Sequence, residues 1–259
     1  MINYIRSELY RLVRNRTAYI FILICSALLT SANVVLAGVA HKDKNFPYAN
    51  TDFALGLFYT SLPVVFLLCI SVASIVFGNE HNNHTLKNSI SYGINRGSIY
   101  FGKFIVEIFY ALIAFAVITG IDIGTAYLLL EDSGPRSLEL LFEATFAALP
   151  LLIFALGITN CFLFIIESNG TAIASIIGIS VAYPIVNGYL GMKFDFFAKL
   201  NKILPWNMIN AIGFDNEKME LLLPWAGKDG YTNYWLFGII WMVVFLLIGY
   251  VAFRRKEVK

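Results

Sequence analysis

The chain has 259 residues, of which 58% are hydrophobic and 14% charged, against about 25% charged in an ordinary soluble domain. Mean hydropathy is +0.70, which excludes a disordered chain and most soluble classes. A net charge of only +2, from 19 Lys+Arg and 17 Asp+Glu, gives nucleic acid nothing to bind, so the expectation is one membrane-embedded unit.

The first 16 residues read as an interfacial helix. Ile2, Ile5, Leu9, Leu12 and Val13 recur at steps of three and four, while Arg6, Arg14 and Glu8 fall largely elsewhere on the wheel. Arg6, Arg11 and Arg14 make it basic; a plain positive anchor for the first span is the simpler alternative. The apolar run that follows exceeds 20 residues, longer than a cleavable signal core of 7–15, so it reads as a retained span.

A bilayer crossing needs about 20 apolar residues. Six segments qualify: 18–40, 54–77, 104–130, 140–166, 170–190 and 234–253. Hydrocarbon offers backbone groups no partners, so the spans are predicted helical; period-2 alternation, the mark of a membrane barrel, is absent. Eleven Lys and Arg lie on the side of the two termini and the loop after the second span. Eight lie on the other side, five of them in one long segment. The distribution predicts cytoplasmic termini.

The stretch 192–233 is too apolar for a plain loop. Phe194, Phe197, Leu200 and Leu204 follow helical spacing, and Pro205 and Pro224 each precede a Trp. One or two short helices in the outer leaflet are expected, with a small soluble cap as the alternative.

Chemistry-bearing residues are few. Cys25, Cys69 and Cys161 sit singly in apolar runs with no paired spacing, so neither disulfides nor a zinc site are expected. The segment 97–104 follows a phosphate-binding loop pattern until Phe104 stands where Ser or Thr would hold magnesium. No ATP hydrolysis by this chain is expected. Glu80, His81 and His84 read E-H-x-x-H, the wrong order for a zinc protease. No metal is expected.

Within the third span, Glu107 and Asp122 are costly at bilayer depth, roughly 2.5–3.5 kcal/mol each at a helix centre. Glu107 is close enough to the cytoplasmic end to reach water. Asp122 is flanked by Gly120 and Gly124, a spacing that lets another helix approach. The two carboxylates lie about 60° apart on the wheel, facing protein or a wet cavity. Asn160 and Asn187, in spans 4 and 5, read as packing groups or path-lining ones.

The loop 78–103 is longer than a simple hairpin needs. It reads as a short helix, a break at Gly93 and a turn feeding span 3. Its residues Glu80, Thr85, Leu86, Lys87 and Asn88, then Tyr92, Gly93 and Ile94, Arg96, Ile99, Gly102 and Lys103, resemble the cytoplasmic loop of ABC-2 type transporter permeases. The nearest likeness is to the small permeases of Gram-positive lantibiotic-immunity, bacitracin-resistance and peptide-export operons, though His84 replaces a frequent glycine.

That resemblance implies an all-α integral membrane protein forming a single permease domain, in a bacterial plasma membrane. Two permease chains, alike or different, would form the path, and two separate ATPase subunits would dock beneath. ATP and magnesium would sit on the partner, with no cofactor on this chain. The loop would be the coupling helix, carried by Glu80, His81, Asn82, Asn83, His84, Thr85, Leu86, Lys87, Arg96 and Lys103. The cargo would be an amphipathic or hydrophobic peptide. An ion-coupled transporter and a non-transporting scaffold or receptor remain as alternatives.

Overall fold

The computed structural model describes residues 1–43, 46–78, 80, 85–215, 220–226 and 230–256. The described residues are helical apart from one short two-stranded ribbon. Helices α1 (Ile2–Val13), α2 (Arg16–Lys42), α3 (Thr51–Thr60), α4 (Leu62–Phe77), α5 (Thr85–Ser91), α6 (Arg96–Leu129), α7 (Arg136–Ile165) and α8 (Asn169–Gly191) are followed by α9 (Asp195–Lys202), α10 (Pro205–Asn210) and α11 (Gly230–Arg255).

Five of them, α2, α6, α7, α8 and α11, are long and apolar enough to cross a bilayer. The predicted second span is not one straight helix. It breaks at Ser61 into α3 and α4, which meet at a 56° bend. Pro63 stands in the first turn of α4, where its missing N–H costs nothing but where it cannot continue a preceding helix. Counted as one crossing, the pair makes six. Polar caps start the helices: the Asn15 side chain accepts from Thr17 N, Asn50 from Phe53 N, and Ser168 from Thr171 N.

Helix α7 is the hub, with α3, α4, α6, α8 and α11 packed around it. Its buried Ala144, Ala147, Ala148 and Ala155 let neighbouring backbones come close, as small residues do between membrane helices. The closest approach is at Gly249 of α11. A Cβ there would stand 2.2 Å from the Tyr100 hydroxyl and 2.9 Å from Cys161 Cα. Gly120 and Gly124 play no such part: nothing described lies within 4 Å of where their Cβ atoms would be. No described helix of this chain makes the close approach that this spacing allows.

The segment before α11 holds the two short helices expected there, α9 and α10, and adds a small ribbon. After α9 and α10 the chain forms antiparallel strands β1 (Gly213–Asp215) and β2 (Glu220–Leu222), then a 3-10 turn at Pro224–Ala226. Helix α9 has no buried residue and lies along α8, whereas α10 seats Met208 and Ile209 against α4, α7 and α11. Trp225 is fully enclosed rather than lying at an interface, while Trp206 packs on Phe66 at 5.3 Å.

Candidate functional site

Helix α1, α5 with Glu80, the start of α6 and the end of α11 meet on one face of the bundle. The joint is ionic. Lys103, fully buried on α6, donates to Glu8 Oε2 at 3.0 Å and to Glu80 Oε1 at 2.9 Å. Arg11 of α1 pairs with Glu8 at 2.6 Å, with Glu80, and with the carbonyl of Val76 at 2.6 Å. Glu8 is 7% exposed and Glu80 3%. Two carboxylates and the Lys103 ammonium thus cancel where water is largely excluded and unpaired charge is costly, with the more exposed Arg11 closing the set from outside.

Local structure sets this up. Gly102 lets α1 lie against α6: a Cβ there would come within 2.8 Å of the Tyr4 ring. Helix α1 then presents Tyr4, Glu8 and Leu12 inward at four-residue steps. Glu80 is held from the other side by Thr85, whose hydroxyl donates to Glu80 Oε2 at 2.8 Å. The Phe77 ring lies 5.4 Å from the Lys103 ammonium.

The electrostatics follow from these contacts. Burial pushes the Glu80 carboxyl up, but the adjacent Lys103 and Arg11 outweigh it and hold it below the usual range. Burial likewise works against the Arg11 charge, yet Glu8 and Glu80 raise its pKa further. Burial first, then the negative Glu8 and Glu80, push the Tyr4 hydroxyl up.

Helix α5 hangs from this joint by Leu86, which is buried, and Ile90, which packs on the core. Its other face is exposed among the described residues: Lys87, Asn88 and Ser91 are exposed, and Tyr92 is 87% exposed. The helix ends at Gly93, whose φ of +84° reverses the chain in a conformation that favours glycine. Asn95 then caps α6 through Gly97 N at 2.7 Å.

The coupling residues named from sequence therefore separate. Thr85, Leu86 and Lys87 are on or at α5. Glu80 and Lys103, expected to meet a partner, are turned into the chain itself. Arg96 also faces inward, donating to the carbonyls of Phe253, Arg254 and Lys256 at 2.7, 3.1 and 2.6 Å. It caps the carboxyl end of α11, where carbonyls lack helical partners. His81, Asn82, Asn83 and His84 lie outside the described residues. Arg6 and Arg14 are exposed on α1, with Arg14 4.2 Å over the Tyr10 ring.

Two expectations for α1 and α6 change. Glu8 falls off the apolar stripe of α1 yet is buried, because Lys103 and Arg11 reach it there. Glu107 was expected to reach water but is fully buried, and neither of its oxygens has a partner among the described residues. Tyr100 and Asn160, also enclosed, face each other beside it. Asp122 is paired within the fold: Asn33 of α2 donates to its Oδ1 at 3.0 Å. Asn187 of α8 donates to Asn201 of α9. Sequence reasoning missed Glu8, Tyr4 and Asn33. The single acid three residues before Arg11, and the lone Asn in an apolar span, were the signals.

The arrangement defines a multi-pass, all-α membrane protein with a short exposed helix braced on one face. Residues 4–187 match the family model described as ABC-2 family transporter protein. The chain belongs to that family and is the transmembrane part of an ABC transporter, a family that implies an ATP-binding-cassette ATPase as partner. No curated protein matches the chain.

Proposed function

We propose that this chain is one permease of a peptide-exporting ABC transporter of a bacterial plasma membrane, related to the lantibiotic-immunity and bacitracin-resistance permeases. Its terminal face is cytoplasmic, in line with the excess of Lys and Arg there. Helix α5 seats in a groove of a separate ATPase subunit that holds ATP and magnesium, and this chain binds no cofactor of its own. A second permease chain, alike or different, completes the path through the lipid. The cargo is an amphipathic or hydrophobic peptide.

The observation that carries the reading is the pairing of a bare outer face on α5 with a buried ionic joint behind it. Lys87, Asn88, Ser91 and Tyr92 are exposed and together form a polar and aromatic face. Behind them, Glu80 is tied to both α1 and α6. A push on α5 would therefore reach α6 through the contacts of Thr85 with Glu80 and of Glu80 with Lys103. Glu80 and Lys103 act in this reading as positioning residues, and α1 as a brace.

The test is co-purification in gentle detergent with an ATP-binding-cassette ATPase subunit from the same cell, followed by reconstitution. Lys87→Glu and Tyr92→Ala should weaken ATPase binding and uncouple ATP hydrolysis from export while leaving thermal unfolding unchanged. Export that is indifferent to both, or a chain that never retains an ATPase, would remove the reading.

A further inference from the structure

A cavity of about 260 Å³ lies between α2, α4, α6 and α7, just below the ~300–1,000 Å³ of most ligand pockets. Its walls come from the middle of each helix, including Cys25, Cys69, Ala111 and Leu152. None of the described residues that line it is charged. One of its few hydroxyls, that of Ser61, is already spent on the carbonyl of Phe58 at 2.7 Å.

The cause is the joint at Ser61. Helix α2 is fixed to α6, where Tyr110 donates to Ala18 O and Asn33 to Asp122. The 56° bend between α3 and α4 leaves α4 touching α2 only slightly. The gap reaches the outside of the bundle, since Leu28 of α2 and Val64 of α4 both line it and are exposed. At this depth the outside is hydrocarbon.

We propose that this cavity holds one acyl chain of a bilayer phospholipid, entering between α2 and α4. Apart from the hydroxyls of Ser61 and Thr145 the walls are apolar and uncharged, so they favour an occupant that is apolar along its enclosed length. An apolar cavity stays dry and takes apolar ligands. Left empty, its walls would forfeit dispersion contacts on one side. Acyl chains are the surrounding solvent and reach the opening without shedding water. The proposal is independent of the ATPase partner and of the cargo.

The test is reconstitution into phosphatidylethanolamine–phosphatidylglycerol vesicles containing a phospholipid with a diazirine midway along one chain. After photolysis, the labelled residues are mapped by mass spectrometry. Label is expected on the inward Cys69 and Leu152 as well as on the outward Leu23. In Ala111→Phe, which fills the cavity, label on Cys69 and Leu152 should be lost while label on Leu23 persists. Val65→Phe, from the opposite wall, should give the same loss and serves if the first variant does not fold. Absence of inward label in the wild type, or its survival in the filled variants, would overturn the proposal. So would inward label from a diazirine-bearing apolar peptide but not from lipid, which would assign the cavity to cargo.

Discussion

Lys103 and Glu80 lie 23 residues apart in sequence and 2.9 Å apart in space, joining the segment after α4 to α6. Glu8 and Arg11 close the same joint from α1. Removing one partner of such a buried set leaves an uncompensated charge, at a cost of about 3–5 kcal/mol. Lys103→Met should therefore lower the thermal midpoint markedly in detergent. Exchanging Glu80→Lys with Lys103→Glu should recover part of the loss, though Arg11 then faces the wrong sign. A midpoint unmoved by Lys103→Met would show that the joint does not hold the fold.

The same joint sets an acid limit. The folded Glu80 carboxyl titrates below its ordinary value, which is about 4.3. Its contribution is present above that ordinary value and is lost as pH falls through the folded one. Thermal stability should hold from neutral pH to about 5 and then fall. Glu80→Gln should start lower at neutral pH and show a shallower acid decline. Parallel pH profiles for the two proteins would contradict this assignment.

Gly249 is the tightest contact between α11 and its neighbours. Gly249→Ala places a methyl group against the Tyr100 hydroxyl and Cys161 Cα, and overpacking of this kind costs about 1–3 kcal/mol. Adding Tyr100→Phe removes the nearer obstacle but not the Cys161 backbone. A double-mutant cycle on thermal unfolding should show partial rescue, whereas strict additivity would mean that the hydroxyl yields freely.

Arg96 ties the end of α11 to the start of α6 through three carbonyls. Arg96→Met should leave those groups open and fray the last turn. Hydrogen exchange of the amides from 252 to 256 should quicken while exchange in the middle of α11 stays unchanged. Slow exchange throughout would show that other contacts suffice.

The membrane architecture could be read directly, because span hydropathy depends on composition alone. The break at Ser61 could not, since the apolar run 54–77 continues through it; Pro63 was the one local hint. The hairpin at 213–222 was hidden for a similar reason, its strands being three residues each. At the site, resemblance picked out Glu80, Lys103 and Arg96 but not their direction. Each is satisfied by a group distant in sequence: Glu8 lies 95 residues from Lys103, and the Arg96 acceptors lie 157 to 160 residues away. A helical wheel for α1 puts Glu8 off the apolar stripe and sees no neighbouring helix. The exposed side of α5 was legible, since nothing distant is needed to leave Lys87 in solvent.

The Gly102 gap and the Tyr4 ring that fills it bear on how such permeases can be recombined. A chimera that transplants residues 78–103 from a relative brings a new cradle for α1 but keeps the old helix. The two would then mismatch in both shape and sign. The exchangeable module is discontinuous, residues 1–13 together with 78–103, and grafts that move both pieces should assemble where grafts of either alone misfold.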